Sequence, residues 1–409
     1  MTTPRPLWHG RALALVGIVL FAFSLRSAVA SLSPLFGLIA ADFPVSSAVI
    51  GLIGTAPAVC YAVFGLLTPA LERRFGLEKL ASAAMAVVAI GLIARSLAPN
   101  SGLLLAGTAL VFAGVGSGNV LLPPLVKRYF PDRIGLMTSL FSTTMAVASF
   151  VPPLLAVPIA DATSWRLSLG LWAVFAAAAI IPWVTMILRR PIAGPVDDDD
   201  IEQPSPRVFG RLWRLPTAWA LMFGLVVSSS IAYTSFAWLP TLLIDTAGVT
   251  PAGAGALLAL FASMGLPCSV LVPLLVTRWN ATLPLFLTAF AAGVVAVAGL
   301  IVAPAAAPWL WVTLLGIATL TFPLVLVLIG LRTRTHEGSV ALSGFVQSIG
   351  YAVTAIVPLG FGLLHEATGS WNGPLLVLAV VITAAVPAGV VAARPRTIED
   401  EWELRRGTW

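Results

Sequence analysis

Charge is what this sequence has least of. Only 10% of its 409 residues are Asp, Glu, Lys or Arg, against 59% hydrophobic. A soluble globular protein is roughly 25% charged and 45–50% apolar, so a soluble multidomain chain is excluded. Cysteine is nearly absent: Cys60 and Cys268 both fall within apolar stretches, with no CxxC or Cys/His spacing. Neither a disulfide framework nor a metal site is expected from them. Catalytic motifs are missing as well. "GVGSG" (114–118) lies inside an apolar run rather than after a strand, and "HEATG" (365–369) lacks the second histidine of a zincin. With no P-loop and no nucleophile elbow either, no enzyme activity and no cofactor are expected.

What fills the chain instead is twelve long apolar runs, at a mean hydropathy of +0.98. They cover roughly 12–40, 47–71, 80–98, 102–126, 136–160, 167–188, 217–244, 252–276, 282–302, 308–331, 339–365 and 373–393. Each is long enough to cross a hydrocarbon core of about 30 Å as a helix. A helix satisfies its own backbone hydrogen bonds in lipid, and the continuous rather than alternating apolar pattern argues against a barrel. The runs are called spans 1 to 12 below. The expected fold is therefore an all-α integral membrane protein, multi-pass in the cytoplasmic membrane.

The scarce charges set its orientation. Twenty of the 23 Lys and Arg residues fall on alternate loops and the two ends, which would share one side of the membrane. Only Arg26, Arg95 and Arg166 lie elsewhere. Such asymmetry predicts cytoplasmic termini. It also explains the pI near 10 without nucleic acid as a partner. Arg5, Arg11 and "AVA" (28–30) imitate a signal peptide, but Arg26 interrupts the run and its apolar character continues to Ile39. An uncleaved first span is the reading.

One inter-span stretch is long and hydrophilic. "RRPIAGPVDDDDIEQPSPRVFGRLWRLP" (189–216) divides the spans six and six, and its "DDDD" reads as a solvated linker rather than a cation site. An internal repeat supports the division. Setting 135–165 against 341–371 without a gap aligns Ser142 with Ser348, Pro152 with Pro358 and Trp165 with Trp371. The predicted organisation is a half at 1–188, a linker at 189–216, a second half at 217–393 and a cytoplasmic tail at 394–409. Parallel six-helix repeats of this kind belong to transporters whose site lies near the midplane between the halves.

Arg26 is the residue such a site calls for. It stands 15 residues from Arg11 and 16 from Asp42, roughly 22–24 Å along a helix in either direction. Neither interface is within reach of its side chain. All 17 acidic residues fall in loops, termini or span ends, so Arg26 has no evident carboxylate partner. It then suits an anionic or electronegative solute, or it caps the carbonyls of a broken helix. The absence of an intramembrane acid also weakens any simple proton-coupling scheme. Ser230 and Tyr233 lie near the position that repeats Arg26, and Gln347 and Tyr351 share one helical face of span 11. Asn119 lies about 12 Å from Lys127 along span 4. Tyr351 is expected to line a cavity. Inter-helix bonding and cavity lining both fit Tyr233, Gln347 and Asn119, and serines such as Ser230 commonly bond their own backbone.

"LERRFGLEKL" (71–80) resembles the signature between helices 2 and 3 of the major facilitator superfamily: Arg74 and Gly76 fit, while Arg73 stands at the Asp position and Pro69 replaces the first Gly. "GSGNVLLPPLVKRYFPDRIGLMTSLFSTTM" (116–145), "FAWLPTLL" (236–243), "FPLVLVLIGLRTR" (322–334) and "LSGFVQSIGY" (342–351) resemble its cyanate and 2-nitroimidazole transporter branch. Members carry Asn-Leu-Arg on helix 1, where this chain has Ser24-Leu25-Arg26. The resemblance implies a secondary transporter of a small anionic or electron-rich solute, working by alternating access and expected to act as a monomer. A multidrug-type exporter and a membrane solute sensor are the other readings.

Overall fold

A computed structural model describes residues 11–130, 132–188 and 206–407. Their regular structure is all helical, with no strand among them. Among the described residues twelve helical spans are long and apolar enough to cross a membrane, and three agree with the apolar runs to the residue, Ala12–Ala40, Thr282–Val302 and Pro308–Leu331. Most of the others extend the runs by a turn or less, as in Ser101–Tyr129 and Pro216–Ala247, while Leu77–Ser96 and Asn372–Ala392 are shifted and end two and one residues before their runs. Side-chain caps close several starts: Asn100 accepts from the Leu103 N–H at 2.9 Å and Thr335 from the Gly338 N–H at 3.0 Å. Gly76, at φ +82°, separates the helix Ser47–Phe75 from Leu77–Ser96. That conformation favours a residue without Cβ.

Proline decides where several spans break. A proline supplies no N–H to the carbonyl four residues earlier and crowds it. Helical segments end at Ala30, Ser263, Thr354 and Thr383, each four places before Pro34, Pro267, Pro358 and Pro387. A fifth ends at Ala318, one residue short of that position relative to Pro323. Elsewhere the helix runs on through proline, as at Pro123, Pro124 and Pro182.

By packing, the chain divides into two units. The first comprises Met1–Val49, Cys60–Val196 and Pro251–Ala259, and the second Ile50–Val59, Asp197–Thr250 and Leu260–Trp409. In the first, span 3 lies against spans 4 and 6, and span 1 against spans 4, 5 and 6. Glycines let spans 3 and 4 touch through their backbones: a Cβ on Gly91 would lie 2.8 Å from the Gly107 carbonyl oxygen. Without a hydrophobic drive between helices in lipid, such small-residue seams supply the packing. Trp183 fills the centre, edge-on to Phe21 at 6.4 Å. In the second unit, span 7 is the hub for spans 10, 11 and 12.

The tail is structured. The helix Ile398–Arg406 opens with a capping box between Thr397 and Asp400. Its Glu399, fully buried, accepts from the N–H groups of Arg334 and Thr335, both at 3.1 Å, and from the Thr335 hydroxyl at 2.9 Å. It thereby closes the start of span 11. Glu401 accepts from the Thr217 N–H at 3.2 Å, at the start of span 7. The stretch read as a linker is also partly helical, since Pro206–Leu212 forms two turns. The acidic run 197–200 lies outside the described residues.

Candidate functional site

Span 1 meets span 4 at Leu25 and Gly118. A Cβ on Gly118 would collide with the Leu25 side chain and lie 3.0 Å from Phe21, so the glycine is what allows this approach. The next residue on each helix is a predicted site residue, Arg26 on one and Asn119 on the other. Phe21, Ala22, Leu25 and Ala28 are buried on the packed face of span 1, and Arg26 is half-buried beside it. Among the described residues Arg26 makes no hydrogen bond and no ion pair. The acids of this unit, Asp42, Glu72, Glu78, Asp132 and Asp161, all belong to span ends or the turns between spans. Ser24 bonds back to the Leu20 carbonyl at 2.8 Å, as expected of an intrahelical serine.

The capping role weighed for Arg26 is filled by another arginine. Arg95, fully buried near the end of span 3, donates from Nη1 to the Ala28 carbonyl at 2.8 Å. That carbonyl lies two residues before the first helical segment ends at Ala30. Gly107 leaves room for the Arg95 stem, since a Cβ there would lie 2.9 Å from its Cγ. Sequence reasoning counted Arg95 without assigning it a task. The contact joins residues 67 apart, and no local pattern signals it.

In the second unit the structure brings Tyr233 and Tyr351 together, with ring centroids 6.3 Å apart at 48°. Gln347 donates to the Ser343 hydroxyl at 2.8 Å one turn earlier on its own helix, so its amide is held from within the span. Ser230 is fully buried and its hydroxyl has no partner, as is true of Thr234 and Thr354. Just beyond Tyr351, span 11 breaks at Ala355, whose carbonyl accepts from Thr55 at 2.8 Å. The Pro358 carbonyl accepts from the Trp238 indole at 3.0 Å.

Two corner contacts repeat across the units. Trp165 donates to Asp42 at 2.9 Å, and Trp371 donates to Asp245 at 3.1 Å. The first corner adds an ion pair from Arg166, whose guanidinium lies 4.2 Å from the Trp165 ring centroid. Hydrogen bonds from Arg166 and then Trp165 hold the Asp42 carboxyl below its usual range. The second corner adds a parallel stack of His365 on Trp371 at 3.7 Å. Sequence reasoning also missed Glu78, which is buried and accepts from Tyr129 while pairing with Arg128 at 3.2 Å. Burial pushes the neighbouring Glu72 carboxyl up; Arg128 opposes this and Glu78 adds to it. Among the described residues there is no group of three or more His, Cys, Asp or Glu able to hold a metal ion.

Known proteins now bear on these features. The family model for the Major Facilitator Superfamily matches residues 15–353. A 2-nitroimidazole transporter of Escherichia coli is 31% identical over 392 residues, covering 95% of this chain and 97% of its own. An uncharacterized transporter of Bacillus subtilis is 30% identical, with 94% of each chain covered. The cyanate transport protein of Escherichia coli is 26% identical, covering 87% of this chain and 91% of its own. Among solved structures, a nucleoside transporter superposes with a TM-score of 0.72 at 11% identity, covering 93% of this chain and 99% of that one. At that identity the likeness speaks for the fold alone. The branch resemblance seen in the sequence motifs is thus matched by relatives along nearly the whole chain.

Proposed function

We propose that this chain, which belongs to the Major Facilitator Superfamily, carries a small anionic or electron-rich solute by alternating access. Membership makes it a multi-pass membrane protein and a secondary transporter rather than an enzyme. The solute class rests on one observation, the half-buried Arg26 that has no hydrogen-bond or ion-pair partner among the described residues. An arginine within a membrane span is costly unless it meets a polar cavity or a counter-charge, and its planar fork suits compact anions. Relatives described as 2-nitroimidazole and cyanate transporters support the same chemistry.

In this reading Arg26 binds the negative end of the solute. Tyr233, Tyr351 and Gln347 orient it by stacking and hydrogen bonding, Ser230 offers a free hydroxyl, and Asn119 lies towards the cytoplasmic side. The halves 1–188 and 217–393 alternate about the site, joined by 189–216 and followed by the tail 394–409. The protein acts as a monomer in the cytoplasmic membrane with both termini inside.

The test is flux in proteoliposomes of the purified protein with cyanate, nitrate and 2-nitroimidazole, under imposed pH and voltage gradients, with the Arg26→Ala variant alongside. Movement of at least one solute, lost in the variant, is expected. Unchanged flux of every transported solute by the variant would overturn the role of Arg26. Flux of bulky apolar drugs that ignores the substitution would turn the reading to drug export.

A further inference from the structure

The second unit holds a cavity of about 250 Å³ that the transport reading does not use. Thr217, Val391, Arg394, Arg396, Glu401, Leu404 and Arg405 line it, so it lies where spans 7 and 12 meet the tail helix. Three arginines stand against a single glutamate. Glu401, 8% exposed, is already committed to the Thr217 N–H and lies 3.5 Å from Arg405. Arg394 makes no side-chain hydrogen bond or ion pair among the described residues. Arg396 acts on Asp400 only through space. Two exposed guanidinium groups thus face a concave site with no acid directly paired to them.

We infer that this cavity binds the phosphate-bearing headgroup of an anionic phospholipid. Its arginines match a phosphate: a guanidinium offers paired N–H donors to two phosphate oxygens, and basic pockets at the ends of membrane helices take such headgroups. At about 250 Å³ it is smaller than the roughly 300–1,000 Å³ of pockets that enclose a whole drug-sized ligand, and so fits a part of a molecule, such as a headgroup, rather than all of one. Its walls favour a lipid over free phosphate. Val391 belongs to a membrane span and Leu404 is 69% exposed on the tail helix, so two apolar side chains flank the charged groups in the same cleft, which suits the glycerol and acyl part of a lipid. The bound lipid would tie the tail helix to the membrane surface.

The test is native mass spectrometry of the full-length purified protein titrated with dioleoyl phosphatidylglycerol, dioleoyl phosphatidylcholine and inorganic phosphate. Phosphatidylglycerol is expected to bind in preference to phosphatidylcholine. The double variant Arg394→Ala/Arg396→Ala is expected to bind it roughly 20- to 30-fold more weakly, at about fivefold per arginine near an anionic lipid. Neither side chain has a structural partner, so the variant should fold as the parent does. Arg278→Ala, which removes an exposed arginine from the last turn of the helix Gly265–Trp279, serves as the control and should change binding less than about twofold. Leu404→Asp should weaken phosphatidylglycerol binding. The inference is overturned by equal binding of the two lipids, by equal losses in the control and double variants, or by inorganic phosphate binding as tightly as phosphatidylglycerol.

Discussion

Two arginines of the first unit lie within membrane spans, and they differ in what their charge is committed to. Arg95 is fully buried and donates to the Ala28 carbonyl. Arg26 is half-buried, follows the Leu25–Gly118 contact, and has no partner among the described residues. A buried charge in lipid normally pairs with another side chain or with backbone. Arg95 obeys that rule within the protein. Arg26 obeys it only if something from outside completes it, and that contrast separates a structural cation from a binding one.

The contrast can be broken or sharpened by substitution. Arg95→Ala should have the largest effect on stability, about 3–5 kcal/mol, because it removes a large buried stem together with a charge-assisted hydrogen bond. Thermal unfolding in detergent would measure it, and flux per folded molecule should survive. Arg26→Ala should do the reverse: apparent solute affinity falls roughly 30-fold, about 2 kcal/mol, while the melting temperature stays within a degree or two. A melting temperature that falls as far as for Arg95→Ala would erase the distinction. Gly118→Ala should cost about 1–3 kcal/mol by overpacking the span 1–span 4 contact, and should also weaken solute binding by displacing Arg26.

The smallest effects belong to Arg166, a partly exposed arginine ion-paired with Asp42. Its hydrogen bond depresses the Asp42 carboxyl in the folded state. The stabilisation is therefore present above the unfolded value, about 3.9, and is lost as pH falls through the lower folded value. Melting curves below about pH 4 should show a shallower acid decline for Arg166→Gln than for the parent. An identical decline would mean that the pair contributes nothing measurable.

The spans were legible in the sequence because crossing a membrane demands an uninterrupted apolar run, and little else produces one. The repeat was legible for a related reason: matched prolines and tryptophans hold matched positions, and the corner contacts Trp165–Asp42 and Trp371–Asp245 bear out the likeness. The breaks were less so. Pro34 and Pro358 interrupt helices while Pro123 and Pro182 do not, and which outcome prevails depends on how neighbours re-satisfy the freed carbonyls. Arg95 and Glu78 were seen as charges but not as contacts, since their partners come from other helices. The helix Pro206–Leu212, in a stretch read as a hydrophilic linker, shows composition yielding to local context.

The buried Glu399 has a consequence in time. It completes the first turn of span 11 from 64 residues further along the chain. At about 5–20 residues per second of synthesis, the start of span 11 is made roughly 3–13 s before the carboxylate that finishes it exists. Until then the N–H groups of Arg334 and Thr335 must be met by water at the membrane surface. The helix that closes the entrance to span 11 is thus made after the span itself, and a nascent chain halted before residue 399 carries that span with its start still open.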